Sequence, residues 1–332
     1  MAISRRYFFT MPAVLWVQAA FPQQARPFTV GVLVNGAAGA PLTERARQSL
    51  QDSFAALGYE QGRNLDLRFG YAEGKLERLP ALARELAGSG VDMIFALGGP
   101  ASRAAADATS TVPVIFSIVT DPVALRLVDS MRIPGRNVTG VTNLDREQAK
   151  AQMQLLKEAA PHVSRVALLS DVDIPGGDND GHAPIDRDNL QAARGVGFTA
   201  NVVKLKGPTP DLDASFASLA NDGIQAIVAL EVPVVLFHRA RIARLATSNR
   251  MMSLFPGGTS DAAAVLTFGT TVEDTWKRMP AIADRIVKGA PPAETPVEAV
   301  TRRELVVNVK TADAIGLKLP QQIIDRADKR LD

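Results

Sequence analysis

Short apolar runs alternate with amphipathic stretches along most of this chain, and this alternation constrains the fold more than any other feature. The first apolar run, 28–35, is followed by a stretch with helical spacing, 42–57, which ends at Gly58. The segments that join successive apolar runs are long enough for a helix and too long for a hairpin. We therefore predict an α/β fold with parallel, doubly wound sheets and right-handed crossovers.

The alternation falls into two sets that are separated by a short connection at 138–141, which we interpret as a hinge. The last apolar run of the first set is 112–119, and the second set begins with a predicted helix at 145–160. A length of 332 residues suits two units of roughly 150 residues each. We predict two lobes, because 256–332 holds too few elements for a third core. The predicted boundaries are 26–140 with 256–305 for the first lobe and 141–255 with 306–332 for the second.

The N-terminal segment has the features of an export signal. Arg5 and Arg6 precede an apolar stretch that runs to about Phe21, and small residues follow as far as Ala25. The stretch is shorter than the ~20 apolar residues that a membrane-spanning helix needs. The paired arginines resemble a twin-arginine signal. We predict that residues 1–25 are a cleaved signal peptide and that the mature protein is periplasmic.

Composition argues against several classes of function. The chain has 37 basic and 35 acidic residues, a balance that gives no electrostatic case for nucleic-acid binding. It has no cysteine, which excludes disulfides, thiolate metal sites and a cysteine nucleophile. The histidines at 162, 182 and 238 lack a metal-ligand spacing, and the GxSxG, P-loop and GxGxxG motifs are absent. We predict no enzyme activity, no cofactor and no metal. For the acidic loop around His182, a calcium or zinc site is the alternative, and we interpret the loop as solvated.

Candidate ligand-binding residues follow the ends of predicted strands, where open α/β sheets bind ligands. Asp121 follows the fourth strand, where it can accept a hydrogen bond from a ligand amine or cap a short helix that begins at Pro122. The Gly98-Gly99 pair precedes a helix whose free N–H groups favour an anion, although such a pair is also common in plain turns. The predicted ligand-binding residues are Asn35, Gly98, Gly99, Pro100, Ser117, Thr120 and Asp121 in the first lobe and Ser170, Asp171 and Glu231 in the second.

Three segments, 58–101, 116–142 and 283–320, resemble the substrate-binding proteins of ABC transporters of the tryptophan/tyrosine-binding type, within the type I periplasmic-binding class. The resemblance covers nearly the whole chain after the signal. It implies a monomeric periplasmic protein that captures a small polar solute, such as an amino acid or a related carboxylate, between two hinged lobes. The partners implied are the solute and an ABC permease in the inner membrane.

The chain departs from the pattern of this family at two positions. Gly99 stands where the family usually has a hydroxyl residue, and Val232 stands where it often has an acidic one. Either Glu231 substitutes for that acidic residue, or the contact with a ligand amine is lost. Aromatic residues make up only 5% of the chain. The aromatic residues that could form a stacking wall are Phe116, Phe237 and Phe255. The sequence agrees equally with delivery to a permease and with a periplasmic sensor that presents its closed form to a membrane receptor.

Overall fold

The computed structural model describes residues 26–119, 121–142, 146–259 and 262–332. The strands are β1 (Phe28–Val34), β2 (Leu65–Tyr71), β3 (Met93–Leu97), β4 (Val114–Ser117), β5 (Val138–Thr142), β6 (Arg165–Asp171), β7 (Thr199–Leu205), β8 (Ala226–Ala229), β9 (Met252–Phe255), β10 (Leu266–Gly269), β11 (Glu298–Ala299), β12 (Glu304–Asn308) and β13 (Lys329–Leu331). The helices are α1 (Pro41–Ala55), α2 (Leu79–Gly88), α3 (Gly99–Ala108), α4 (Arg146–Ala159), α5 (Pro184–Gly195), α6 (Leu212–Asn221), α7 (Pro233–Ser248), α8 (Val272–Val287), α9 (Val309–Ala314) and α10 (Gln321–Asp325).

The first sheet has the strand order β11-β5-β4-β3-β1-β2, and its strands are all parallel. Its central strands are apolar on both faces, as buried parallel strands must be, and Val32 and Phe95 are fully buried. One face packs against α1 and α8, and the other against α2 and α3. The predicted doubly wound arrangement is confirmed for this sheet.

The second sheet has the strand order β13-β12-β10-β9-β8-β6-β7 and a core of its own. Its strands are parallel except for one pair, because β10 and β12 run antiparallel. The alternation of strands and helices does not predict this pair, since the chain leaves the sheet for α8 before it returns at β12. Among the described residues, no helix is both long and apolar enough to cross a membrane.

Strand β10 corrects one predicted boundary. The prediction assigned 256–305 to the first lobe, but β10 pairs with β9 and extends the second sheet. The following helix, α8, packs against α1 on the first sheet. A strand of four residues carries no signal for the sheet that it joins, so the sequence could not resolve this point. The remaining lobe boundaries stay a prediction.

Two glutamine side chains of α4 form hydrogen bonds with the chain at the end of β10, where it passes from the second sheet to the first. Gln148 Oε1 accepts hydrogen bonds from the backbone N–H of Thr270, at 2.9 Å, and from its hydroxyl, at 3.2 Å. Gln152 Nε2 donates to the carbonyl of Phe268 at 2.7 Å. These hydrogen bonds therefore hold the backbone in place where it leaves the second sheet, directly before α8.

Two short strands lie at the edges of the sheets. Helix α10 ends at Asp325, and the chain then forms the edge strand β13 of the second sheet. Strand β11 has only two residues, too few for an alternating pattern to be visible in the sequence.

Candidate functional site

A cavity of about 840 Å³, counted with its opening to solvent, lies at the carboxyl ends of strands from both sheets. The segments after β1, β3 and β4 line one side, and those after β6 and β8 line the other. Its lining residues are Val34, Asn35, Gly36, Leu42, Thr43, Ala46, Leu97, Gly98, Gly99, Ile118, Val119, Leu125, Ile174, Pro175, Pro184, Ile185, Glu231, Val232, Pro233, Leu236, Phe237 and Trp276. The wall is mostly apolar with a few polar groups, the usual composition of a small-molecule site.

The start of α3 supplies the backbone donors of this cavity. Gly98 has a φ of +102°, a conformation that favours glycine, and its carbonyl accepts the backbone N–H of Ser102 at 2.9 Å. The N–H of Gly99 precedes this first helical bond and therefore has no acceptor within the helix. A Cβ added at Gly99 would have no atom within 4 Å, so the helix start faces open space.

Two polar atoms in the residues that line the cavity are buried without a hydrogen-bond partner. Asn35 donates through Nδ2 to the carbonyl of Leu97 at 3.3 Å, but its Oδ1 has no donor. Trp276 Nε1 likewise has no acceptor. Both side chains are more than nine-tenths buried. An unpaired buried polar group costs about 1–3 kcal/mol, and such groups in native proteins call for a functional explanation.

The two sides of the cavity approach each other closely at two points. The Phe237 ring approaches Gly36 so closely that a Cβ there would lie 3.3 Å from Cε1. A Cβ at Gly176 would lie 2.9 Å from Leu125 Cδ2. These contacts join loops of the first sheet to elements of the second.

Ile118 stands between the two cores with a strained backbone. Its φ is +56°, which a β-branched residue rarely adopts, and such strain costs on the order of 1–3 kcal/mol. Its side chain packs against the cores of both sheets and lines the cavity. This conformation could not be predicted, since the apolar pattern of 112–119 continues through Ile118.

Asp121 acts as a cap in this structure. Its Oδ1 accepts the backbone N–H groups of Val123, at 3.1 Å, and Ala124, at 2.8 Å. The predicted helix after Pro122 is wrong, because 122–126 forms only turns. Asp121 is half-buried and is not among the residues that line the cavity. Thr120, predicted beside it, lies outside the described residues.

Two further first-lobe candidates lie behind the cavity wall. Ser117 is fully buried; its carbonyl accepts the N–H of Gly98 at 2.9 Å, and its hydroxyl has no partner. Pro100 is buried in the first turn of α3. The structure therefore brings Asn35, Gly98 and Gly99 to the cavity and leaves Pro100 and Ser117 in supporting positions.

In the second lobe, Ser170 and Asp171 are engaged in internal hydrogen bonds. Ser170 donates to Asp186 Oδ1 at 2.5 Å, and Lys204 also binds this buried carboxylate. Asp171 accepts the N–H of Asp173 at 2.9 Å and that of Val234 at 3.1 Å. Burial raises the pKa of Asp171, and the two N–H donors oppose this effect. Neither side chain lines the cavity, but Asp171 holds the start of α7.

Glu231 is the second-lobe candidate that reaches the cavity. It follows β8, is 6% exposed and lines the wall next to Val232. Of the described residues that line the cavity, Glu231 is the one with a charged side chain. The cavity is therefore lined both by an acidic residue and by the helix start at Gly99.

The acidic loop around His182 is closed by its own hydrogen bonds. Asp178, Asp180 and His182 offer potential ligand atoms within 4.8 Å of one another. Asp178 Oδ1 accepts the backbone N–H groups of Asp180, at 3.0 Å, and His182, at 2.9 Å, and these bonds lower the pKa of Asp178. The loop lies outside the residues that line the cavity.

The lining residues that the sequence prediction missed include Thr43, Ile118 and Trp276. Thr43 and Trp276 belong to amphipathic helices, whose pattern indicates only a buried face. Of the aromatic residues predicted as a wall, Phe237 lines the cavity, whereas Phe116 and Phe255 are buried in the cores of their sheets.

Comparisons with known proteins agree with this architecture. The family model of the ABC transporter substrate binding protein matches residues 30–331. The tyrosine-binding protein of Clostridioides difficile is 22% identical over 282 residues, which are 84% of this chain and 78% of that protein.

Solved structures share the fold. An ABC domain in complex with L-Trp from Streptococcus pneumonia is 21% identical with a TM-score of 0.80, and covers 92% of this chain and 100% of its own. A conserved domain protein from Vibrio cholerae is 24% identical with a TM-score of 0.82, over the same shares of both chains. At these identities the likeness shows the fold alone.

The family match extends over both sheets and over the segments on each side of the cavity. Proteins of this family bind small solutes and work with an ABC permease, and they are not enzymes. The chain belongs to the family of ABC transporter substrate binding proteins.

Proposed function

We propose that this protein captures an amino acid, or a related carboxylate with an apolar body, in the cavity between its two lobes. The observation that carries the proposal is the unpaired Oδ1 of Asn35 in a cavity that both sheets line. A solute that contacts both sides stabilises the closed arrangement, which is how a binding protein couples capture to a change of shape.

The polar groups of the cavity suit the head group of an amino acid. The N–H groups at the start of α3 offer a site for the carboxylate, next to Gly99. Asn35 Oδ1 and the Glu231 carboxylate are acceptors for the ammonium group. The apolar wall, which includes Leu236 and Phe237, then receives the side chain. The names of the relatives support this class, since one is a tyrosine-binding protein and another was solved with L-Trp.

The proposed cellular role is delivery of the solute to an ABC permease for import. Residues 1–25 would direct export and be removed, and the mature protein would act in the periplasm as a monomer. Mass spectrometry of the exported protein should find an N-terminus near Gln23–Arg26. An intact Met1 on periplasmic protein would contradict the signal peptide.

A thermal-shift screen of the mature protein with the twenty amino acids and small carboxylates tests the proposal, followed by calorimetry on the hits. A solute at ~100 times its Kd adds about 2.7 kcal/mol to the free energy of unfolding. The Gly99→Trp variant fills the cavity, because the added side chain enters open space, and should abolish the shift. Gly88→Trp is the matched control, since Gly88 is exposed on α2 and its Cβ also meets nothing within 4 Å. If Gly99→Trp binds the hits as well as Gly88→Trp does, the cavity is not the binding site.

A further inference from the structure

Trp276 contributes a hydrogen-bond donor that the fold itself does not use. It lies in the first turns of α8, is 2% exposed and belongs to the core of the first sheet. It also lines the cavity, and its Nε1 is shielded from solvent without an acceptor. The indole N–H can only donate, so its partner must be an acceptor.

The residues that line the cavity on the side of the first sheet restrict what that acceptor can be. Val34, Leu42 and Ala46 are apolar, and Thr43 is neutral. The charged lining residue among those described, Glu231, belongs to the second sheet. A charged acceptor beside Trp276 would be desolvated without a counter-charge, so a neutral acceptor fits better.

Trp276 and Asn35 have complementary roles. Asn35 Nδ2 lies so near Gly98 that a Cβ there would be 2.8 Å away, which places Asn35 at the start of α3 with the proposed head-group site. Its unpaired atom is an acceptor, whereas that of Trp276 is a donor. Asn35 can therefore accept a hydrogen bond from the ammonium group, and Trp276 can donate one to a different part of the solute.

We propose that Trp276 is a specificity-determining residue, which selects amino acids whose otherwise apolar side chain carries one neutral hydrogen-bond acceptor, such as a hydroxyl or an ether oxygen. This inference rests on the proposed function. A solute without the acceptor leaves the indole N–H unpaired in the closed complex, whereas a solute with it completes the bond. The resulting preference should be roughly tenfold in Kd, which is the effect of one hydrogen bond to a buried group.

Matched pairs of solutes test the inference by calorimetry. L-norleucine and O-methyl-L-homoserine have the same shape and differ by one ether oxygen in place of a methylene. L-phenylalanine and L-tyrosine form the aromatic pair. In the wild type, the acceptor-bearing member should bind roughly tenfold more tightly, and Trp276→Phe should remove this preference. Phe237→Leu, which changes the wall without removing a donor, should weaken both members and keep the preference.

Spectroscopy supplies a readout that needs no substitution at Trp276. The chain has two tryptophans, Trp16 in the predicted signal peptide and Trp276. In the mature protein, the indole ¹⁵N–¹H signal should therefore come from Trp276 alone. It should move downfield when the acceptor-bearing solute binds and much less with its partner.

The possible results separate this inference from the proposed function. If a pair binds but the wild type and Trp276→Phe discriminate equally, or the indole signal does not distinguish the two members, Trp276 does not determine specificity and the proposed function stands. If no member of either pair binds while other amino acids stabilise the protein in the screen, this inference fails and the proposed function stands. If none of the twenty amino acids stabilises the protein, the amino acid assignment fails and this inference fails with it.

Discussion

The ring of Phe237, on α7 of the second lobe, lies directly against Gly36, in the loop that follows β1 of the first. An added Cβ at Gly36 would lie 3.3 Å from the ring and 2.3 Å from Thr43 Oγ1. The close approach of the two lobes at this point therefore depends on the absence of a side chain.

We expect Gly36→Ala to weaken solute binding more than it weakens the fold. The methyl group would push Phe237 and Thr43 away, which disfavours the arrangement that encloses the solute; a shift of 1 kcal/mol in this equilibrium is about a fivefold loss of affinity. Gly88→Ala is the control, because its Cβ meets nothing. Calorimetry and a melting curve for each variant provide the measurement. Wild-type affinity in Gly36→Ala would show that the contact plays no part in closure.

A second prediction concerns Gly99. Gly99→Ser places a hydroxyl donor in open space at the start of α3, where we propose that the carboxylate binds. Affinity for an amino acid should rise by about 0.5–1.5 kcal/mol, the net worth of a typical hydrogen bond. Gly99→Ala adds the Cβ without the hydroxyl and should not bind more tightly. A decarboxylated amine should gain nothing from the serine, and an equal gain for amine and amino acid would place the carboxylate elsewhere.

A third prediction separates Asp121 from Glu231. Asp121→Asn keeps the acceptor that caps the turn at Val123 and Ala124, so the melting temperature should stay close to that of the wild type. Because Glu231 lines the cavity and Asp121 does not, Glu231→Gln should reduce amino acid affinity more, by about 1.5–3 kcal/mol if it binds the ammonium group. A larger loss in Asp121→Asn would return Asp121 to the binding site.

The fourth prediction concerns Asp171 and pH. Because burial raises the pKa of Asp171 in the folded state, the folded protein binds more protons than the unfolded chain between the ordinary and the raised pKa. The contribution of Asp171 to the free energy of unfolding therefore falls as the pH rises through this window, by about 1.4 kcal/mol per pKa unit, and is constant above it.

Unfolding of wild type and Asp171→Asn by denaturant over a range of pH measures this effect. The stability of the wild type relative to the variant should decline with rising pH and then level. Asp178→Asn should give a dependence of opposite sign, because the pKa of Asp178 is lowered by its backbone hydrogen bonds and the benefit is lost as the pH falls. Parallel curves for Asp171→Asn and the wild type would contradict the role of burial.

Much of the fold can be predicted from the sequence, because each parallel strand is a short apolar run. These runs are separated by helices whose apolar residues recur with a clear helical period. The site follows only in part. Asn35, Gly98, Gly99 and Glu231 were predictable because each lies within two residues of the end of a strand, and that position brings them to the carboxyl edges of the two sheets. Ser170 and Asp171 are the last two residues of β6, but their side chains bind Asp186 and the start of α7. That choice depends on tertiary hydrogen bonds that a pattern in the sequence does not encode.

Trp276 shows a different limit. Its helix has a strong amphipathic pattern, and a tryptophan on the apolar face predicts only burial. Its place beside the cavity depends on the packing of α8 against α1, which lies more than two hundred residues earlier in the chain. The sequence therefore predicts helix α8, but the position of Trp276 beside the cavity follows only from the packing of α8 against α1.

The position of α8 also determines the order in which the protein can fold during synthesis. The core of the first sheet combines segments before residue 142 with a helix that is complete only at Val287. The ribosome must therefore finish β6 to β10 of the second sheet before the first can close. Domains generally fold from the N-terminus as the chain emerges from the ribosome. In this protein the first sheet cannot complete its core until α8 has been synthesised. A fragment of residues 26–142 should remain only partly folded until residues 272–287 are supplied, even as a separate peptide.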